Sequence, residues 1–275
     1  LRRIKAAGYD ALELNDFMLK PSPLIVRILT RAAGMPVGAC GKLDWKALLN
    51  EAGLGVTALH TNLGRLEREP EAVYEEARRF GTDCLVITGM YRFDYSSTSS
   101  VKNLAERLNA AGKKAAGAQI RLFYHNHNAE LLRTDAGEAA YLHILRGTDP
   151  AYVNFEFDSY WFADAGADPL AWMQLLGSRM QLWHINDRGI RSKHVTSGQS
   201  QSCGQTRPNG QRAVTPILKA DSMELGTGNM PLDRLMRQAK SNGAESVILE
   251  SHRNWIDGDP LKSMECSMKW LQEHF

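Results

Sequence analysis

Along most of the chain, short apolar and β-branched runs alternate with longer stretches in which apolar residues recur every three or four positions. The first pattern predicts strands at Tyr9–Leu14, Val56–His60, Cys84–Thr88, Ile120–Tyr124, Tyr152–Asp158, Met180–Asn186 and Val247–Glu250. The second predicts helices at Leu43–Ala52, Pro70–Phe80, Val101–Ala116, Gly137–Leu145, Pro169–Leu176 and Leu232–Ser241. Most strands follow one another at intervals of about 30 residues, enough for a strand, a helix and two loops, as parallel sheets with crossover helices require. Gly53, Gly81 and Gly243 fall just past helix ends, where a left-handed cap is wanted.

These strands follow an opening helix, LRRIKAA, that stops at Gly8. A (β/α)8 barrel is usually about 250 residues long, so the pattern predicts an α/β chain folded as one TIM barrel, a single domain over 1–275, with its first strand before Leu1. The rival is a doubly wound open sheet, but no G-x-G-x-x-G follows the first strand. Regular spacing fails at 188–226, where TSGQSQSCGQTRPNGQ carries no hydrophobic period. That segment reads as an insert before the last strand, either a lid over the barrel mouth or a disordered excursion.

Composition acts by exclusion. The 275 residues are 43% hydrophobic and 23% charged, ordinary for a globular chain. Basic residues (33) nearly match acidic ones (31), so no net field would hold a nucleic acid. No apolar run approaches the ~20 residues of a membrane-spanning helix. Cys40, Cys84, Cys203 and Cys266 are scattered without a C-x-x-C spacing and read as buried thiols, which together with the absence of a visible leader fits the cytoplasm, although an export leader could have been removed.

In a parallel barrel, chemistry sits where strands run into the following loops. Here those ends read Tyr124-His125-Asn126-His127, Glu156-Phe157-Asp158, His184-Ile185-Asn186-Asp187 and Glu250-Ser251-His252. Imidazole and carboxylate together suit Mn²⁺, Co²⁺, Zn²⁺ or Fe²⁺, so the ends predict one divalent transition-metal ion. Alternation puts Asn154, Glu156 and Asp158 on one strand face, and three inward polar groups need a cation or some other partner. The competing reading makes His125 and His127 hydrogen-bonded rim histidines and pairs Glu250 with Arg253. Glu13 with Asn15, His60, and Tyr160 with Trp161 would line a pocket beside them. Glu224, before a glycine-rich turn, reads as guiding the chain into the last helix.

The order GYDALELN, FYHNHNAE, VNFEFDSYWFADAGADP, LWHINDR, MELGTGNMPLDRLM and VILESH resembles the xylose isomerase-like barrel superfamily over nearly the whole chain. The superfamily includes sugar phosphate isomerases and epimerases, inosose dehydratase-like enzymes and, more distantly, endonuclease IV-type nucleases. The resemblance implies a single divalent metal held by His125, Asp158, His184 and Glu250, with Glu250, His127 and His125 handling protons. It implies substrate contacts at Glu13, His60, Glu156, Trp161, Asp187 and His252. His125 stands where many isomerases have glutamate, and Trp161 where several epimerases have histidine.

A Lewis-acid metal on a carbonyl lowers the cost of an enediolate, from which isomerisation, epimerisation and β-elimination all proceed. The reading is therefore a metal-dependent sugar isomerase or epimerase working on a small carbohydrate. The alternative is a lyase (dehydratase) acting on an inosose or keto-sugar. Only Arg188, Arg191 and Lys193 offer cations for a phosphate near the mouth, which favours a neutral sugar. An abasic-site nuclease lacks its basic surface here, and a metal-free sugar-binding barrel remains the non-enzymatic reading. Related barrels form dimers or tetramers, so a homo-oligomer is also implied.

Overall fold

A computed structural model describes residues 1–20, 28, 41–90, 92–191 and 218–274 of the chain. Its strands β1 (Ala11–Asn15), β2 (Gly55–Thr61), β3 (Cys84–Thr88), β4 (Arg121–His125), β5 (Val153–Asp158), β6 (Met180–Ile185) and β9 (Ser246–Leu249) form one seven-stranded sheet in that order. Every neighbouring pair is parallel. The sheet curls into a nearly closed TIM barrel; among the described residues no ladder joins β9 to β1.

Between the strands run α3 (Trp45–Ala52), α4 (Leu63–Arg68), α5 (Pro70–Phe80), α6 (Thr98–Gly117), α7 (Ala140–Gly147), α8 (Ser159–Asp164), α9 (Pro169–Leu176) and α10 (Leu232–Asn242). Before them come α1 (Arg2–Ala7) and α2 (Asp16–Leu19), and α11 (Pro260–His274) closes the chain. Local chemistry sets the boundaries: Asp44, Asn62, Ser97 and Asp168 each accept an N–H of the first helical turn from their side chains. Gly8, Gly53, Gly81 and Gly243 end their helices in the left-handed conformation.

Two cores result from strand alternation. Ala58, Cys84, Val86, Phe123 and Leu182 point into the barrel and fill its lower part. The opposite strand faces, with Leu59, Leu85, Tyr124, Phe155 and Trp183 among them, pack against the helices. Because inward residues recur every second position, the same parity that buries Ala58, Phe123 and Leu182 sends His60, His125 and His184 into the barrel one step higher.

Four expectations change. Helix α7 starts at Ala140 rather than Gly137, because Arg133 and Ala139 bridge across a turn that uses the segment before it. The short helices α4 and α8 were not predicted; each is a single turn and a half, too brief for a periodic signal. The ends of the 188–226 insert are not irregular, since β7 (Asp187–Gly189) and β8 (Asp221–Met223) pair antiparallel. Its middle, 192–217, lies outside the described residues and with it both readings of the insert, Cys203 and Lys193, as does Cys40. Of the other thiols, Cys84 is buried and Cys266 only half-buried.

Gly112, inside α6, lets that helix approach β5: a Cβ there would lie 2.3 Å from the Tyr152 carbonyl oxygen. Alanine ordinarily gains about 1 kcal/mol over glycine in a helix interior. Against rigid backbone the overlap dominates, so Gly112→Ala is expected to destabilise the fold by about 1–3 kcal/mol. A melting midpoint lowered by several degrees would show it; an unchanged or raised midpoint would mean that α6 can move away.

Candidate active site

Seven ionisable side chains converge at the C-terminal end of the barrel. β1 contributes Glu13, β2 His60, β4 His125, β5 Glu156 and Asp158, β6 His184, and the residue after β9 is Glu250. All but Glu13 and Glu250 are fully buried residues, and Glu13 keeps a side-chain exposure of only 8%.

Donor atoms of His125, Asp158, His184 and Glu250 lie within 4.8 Å of one another. His184 Nδ1 is 3.0 Å from Glu250 Oε2 and 3.9 Å from Asp158 Oδ2. The His125 and His184 rings are 4.6 Å apart, centroid to centroid. Local structure aims each group. Asp158 caps α8, its Oδ1 accepting the Trp161 N–H, which leaves Oδ2 turned towards His184. Asn126 ties the ends of β4 and β5 together, donating from Nδ2 to the Asp158 carbonyl and accepting the Asp158 N–H at 3.0 Å.

Beneath this group, His184 Nε2 is 2.7 Å from Glu13 Oε2 and 3.2 Å from Glu156 Oε2. His60 Nε2 lies 3.0 Å from the same Glu13 oxygen, and its Nδ1 is 2.7 Å from Thr88 Oγ1.

Electrostatics follow from crowding in a dry space. Burial alone would lower the pKa of His184, but Glu156, Glu13 and Glu250 hold it well above the usual imidazole value. His60 is raised for the same reason, burial being outweighed by Glu156 and Glu13. Burial and the neighbouring His184 push His125 down. Asp158 is driven well up by burial and then by Glu250 beside it, whereas Glu250 is held well down, against burial, by His184.

Around the mouth stand His127, Trp161 and His252. The His127 ring is 5.1 Å from that of His125 and 5.6 Å from Trp161, which in turn lies 5.5 Å from His252. Burial and His125 lower the His127 pKa to about 4, so it is a neutral imidazole at pH 7. Its placement depends on Glu130, a buried carboxylate that sequence reasoning missed. Glu130 Oε2 accepts the His127 N–H, while Oε1 accepts the hydroxyls of Tyr95 and Tyr124. The signal was available three residues beyond His127 in FYHNHNAE, but one sequence does not separate it from an exposed acid. Gly89, with φ +37°, leaves the ring its room, since a Cβ there would lie 3.3 Å from His127 Nδ1.

The structure thus brings together the candidate ligands His125, Asp158, His184 and Glu250. Glu13, His60 and Glu156, expected at the substrate, gather around His184 Nε2 as a second group, and Glu13 and His60 also line the cavity. Asp187, also expected there, accepts main-chain N–H groups from Arg188, Gly226, Gly228 and Met230, and so shapes the glycine-rich turn instead of facing the mouth. Glu250 does not pair with Arg253, which donates to Asp221. Glu224 accepts from Ser263 and pairs with Arg191, consistent with a role in fixing the chain near α11. A cavity of ≈ 300 Å³ reaches the cluster between β1 and β9, with Glu13, His60, His125, His184 and Glu250 in its wall.

Two imidazoles and two carboxylates within one coordination radius fit a divalent transition metal, and the His125 Nδ1, 3.1 Å from Glu156 Oε2, makes no aligned hydrogen bond.

The chain matches the xylose isomerase-like TIM barrel family over residues 1–274 and belongs to it. An inosose dehydratase of Mesomycoplasma hyopneumoniae (strain 7448) is 32% identical over 178 residues, which are 65% of this chain and 56% of that protein. The chain therefore aligns with little more than half the length of that relative. Among solved structures, a sugar phosphate isomerase/epimerase from Parabacteroides distasonis aligns with a TM-score of 0.71 at 22% identity, over 98% of this chain and 86% of that one. A probable 3-DHS dehydratase from Bacillus anthracis aligns with a TM-score of 0.61 at 14% identity, over 98% and 91% of the two chains. At these identities the structural likeness is one of fold. No helix among the described residues is long and apolar enough to cross a membrane.

Proposed function

We propose that this protein is a metal-dependent dehydratase of a small polyhydroxylated ketone, an inosose or a keto-sugar. The observation that carries the reading is the makeup of the mouth. Of the two positions where related isomerases and epimerases have glutamate and histidine, one is His125, drawn into the ligand cluster, and the other is Trp161, a carbon wall. His127 is the neutral imidazole left beside the cluster. Epimerisation needs a proton removed from one face of a carbon and returned to the other, and hence two opposed groups. Elimination can run through one: His127 takes the proton α to the ketone and gives it to the hydroxyl leaving the β carbon, so that one C–H and one C–O bond break, a C=C bond forms and water departs.

A divalent ion held by His125, Asp158, His184 and Glu250 would act as a Lewis acid towards the ketone oxygen. The protein's own part is to hold those ligands rigidly, stack the ring of the substrate near Trp161 and His252, and keep His127 neutral. The relationship to an inosose dehydratase supports the same reaction class.

The family's isomerases and epimerases supply the second reading, an enediolate-type isomerase or epimerase, favoured by the carboxylate Glu250 lying beside His252 (3.6 Å) as a second proton-handling pair. The two separate in one experiment. Protein loaded with Mn²⁺, Co²⁺, Zn²⁺ or Fe²⁺ is given inososes and keto-sugars in D₂O, and products are read by mass spectrometry and ultraviolet absorbance. Loss of one water with a new conjugated-enone absorbance is expected. Deuterium incorporation with changed stereochemistry and no loss of water would replace the dehydratase reading by the isomerase one.

A further inference from the structure

We propose that the barrel binds a second cation, one layer below the mouth, between Glu13, His60, Glu156 and the Nε2 of His184. The donor atoms of these side chains lie within 4.8 Å of one another, as a separate group from the mouth cluster. His184 belongs to both groups through different atoms. Nδ1 faces Glu250 and Asp158, and Nε2 faces Glu13 and Glu156 on the other side of the ring. One ion cannot reach both nitrogens, so a mouth ion on Nδ1 leaves the lower group, where Glu13 Oε2 is shared at hydrogen-bond distance by His184 and His60, outside its shell.

Orphaned oxygens mark where a second ion sits. Glu156 is 0% exposed, yet among the described residues neither of its carboxylate oxygens receives a hydrogen bond, and Glu13 Oε1 is equally unpartnered. A buried carboxylate without donors is strongly unfavourable. Three imidazole nitrogens approach Glu156 Oε2, from His125 at 3.1 Å, His184 at 3.2 Å and His60 at 3.4 Å, without forming an aligned hydrogen bond. Four ligands at ~2.0–2.2 Å from a tetrahedral ion stand about 3.3–3.6 Å apart; the His184 and His60 spacings to Glu156 lie near that edge, whereas those to Glu13, 2.7 and 3.0 Å, are shorter and would open as an ion entered.

Charge points the same way. The carboxylates Glu13, Glu156, Asp158 and Glu250 share this space. With all four ionised around metal-bound neutral imidazoles, one divalent ion balances two of them and a second ion the other two. The backbone is adapted at both lower carboxylates. The β1–β2 register shifts between Leu12 and Leu14, at Glu13, and the β5–β6 register shifts between Phe155 and Glu156. Such irregularities re-aim a side chain. Thr88 fixes the His60 ring so that Nε2 points to the group, the second-layer contact that ligating histidines commonly have.

Four protein side chains can complete the shell of the lower site, although the cavity that reaches the mouth group also touches Glu13 and His60. The lower ion would be structural, locking His184 in position from beneath. This inference rests on the metal reading of the mouth only through the shared histidine, and not on which reaction occurs there.

The test is reconstitution of chelator-stripped full chain with Co²⁺, followed by elemental analysis and visible absorption. Two ions per chain are expected for the wild type, entering in two spectrally distinct steps, and one each for His60→Asn, Glu156→Gln and Asp158→Asn. If wild type binds one ion, which Asp158→Asn abolishes and His60→Asn keeps, the lower site is wrong and the mouth metal stands. If no variant and no wild type binds Co²⁺, both fall. Should the lower-layer variants fail to fold, the number of spectral steps in wild type still decides, a single step overturning the second site.

Discussion

His184→Ala is expected to remove the mouth metal and at least about a thousandfold of activity together, while the barrel still folds. The imidazole is the group on which both buried clusters meet: Glu250 and Asp158 face one nitrogen, Glu13 and Glu156 the other. Truncation leaves four carboxylates around a void. Part of their repulsion is relieved when one or two of them take up protons, as Asp158 is already inclined to do under burial and the nearness of Glu250. The outward core of Trp183, Tyr124, Tyr141 and Phe157 is untouched, and it is there that the fold is held. A Lewis-acid metal contributes several kcal/mol to an enolising reaction, and 1.36 kcal/mol is a factor of ten in rate, which sets the thousandfold scale. The check is elemental analysis beside a rate assay and far-ultraviolet circular dichroism. A variant that retained its full metal content would sink the ligand set; one that lost metal and kept its rate would sink the metal's role in the chemistry.

The parts legible from sequence were those that depend on period. Alternation along NFEFD put Asp158 and Glu156 on one strand face, and position at strand ends singled out His125 and His184; all four are buried in the barrel, within two groups of converging donor atoms. Depth was not legible. Two residues along a strand separate Asp158, at the mouth, from Glu156, wholly enclosed, and sequence gives both the same address. Glu13 and His60, grouped with the substrate, line the cavity and at the same time cluster with Glu156 around His184, a second association that no sequence pattern names. Asp187 misled in another way: its chemistry suits a ligand or a substrate contact, and only the path of the distant MELGTGNM turn, folding back onto it, shows that its oxygens are taken up by main-chain N–H groups. Glu130, Tyr95 and Asn126 were missed because each acts on a site residue from the side, through a contact whose partner no local pattern names.

His127→Ala, in contrast to the loss of His184, is expected to keep its metal and lose about 10²–10⁴ in turnover, the range carried by a single acid–base group. His127 is not among the converging ligand atoms, and its ring stands beside His125 and Trp161 at the mouth. Burial and His125 keep its pKa near 4, so at neutral pH the imidazole is an unprotonated acceptor, and once it has taken a proton it is a strong enough acid to return it promptly to a leaving hydroxyl. Because the residue handles a proton instead of binding the ground state, kcat falls and KM stays within a few-fold. Exchange of the substrate α hydrogen with D₂O, measurable even when no product accumulates, falls with it. Glu130→Gln supplies a graded control: it weakens the carboxylate that receives the His127 N–H and the two tyrosine hydroxyls, so it is expected to lower kcat by roughly tenfold to a hundredfold without touching metal content. If His127→Ala retained kcat within threefold and α-hydrogen exchange continued, the proton would be moved elsewhere, and Glu250 with His252 would be the pair to test next.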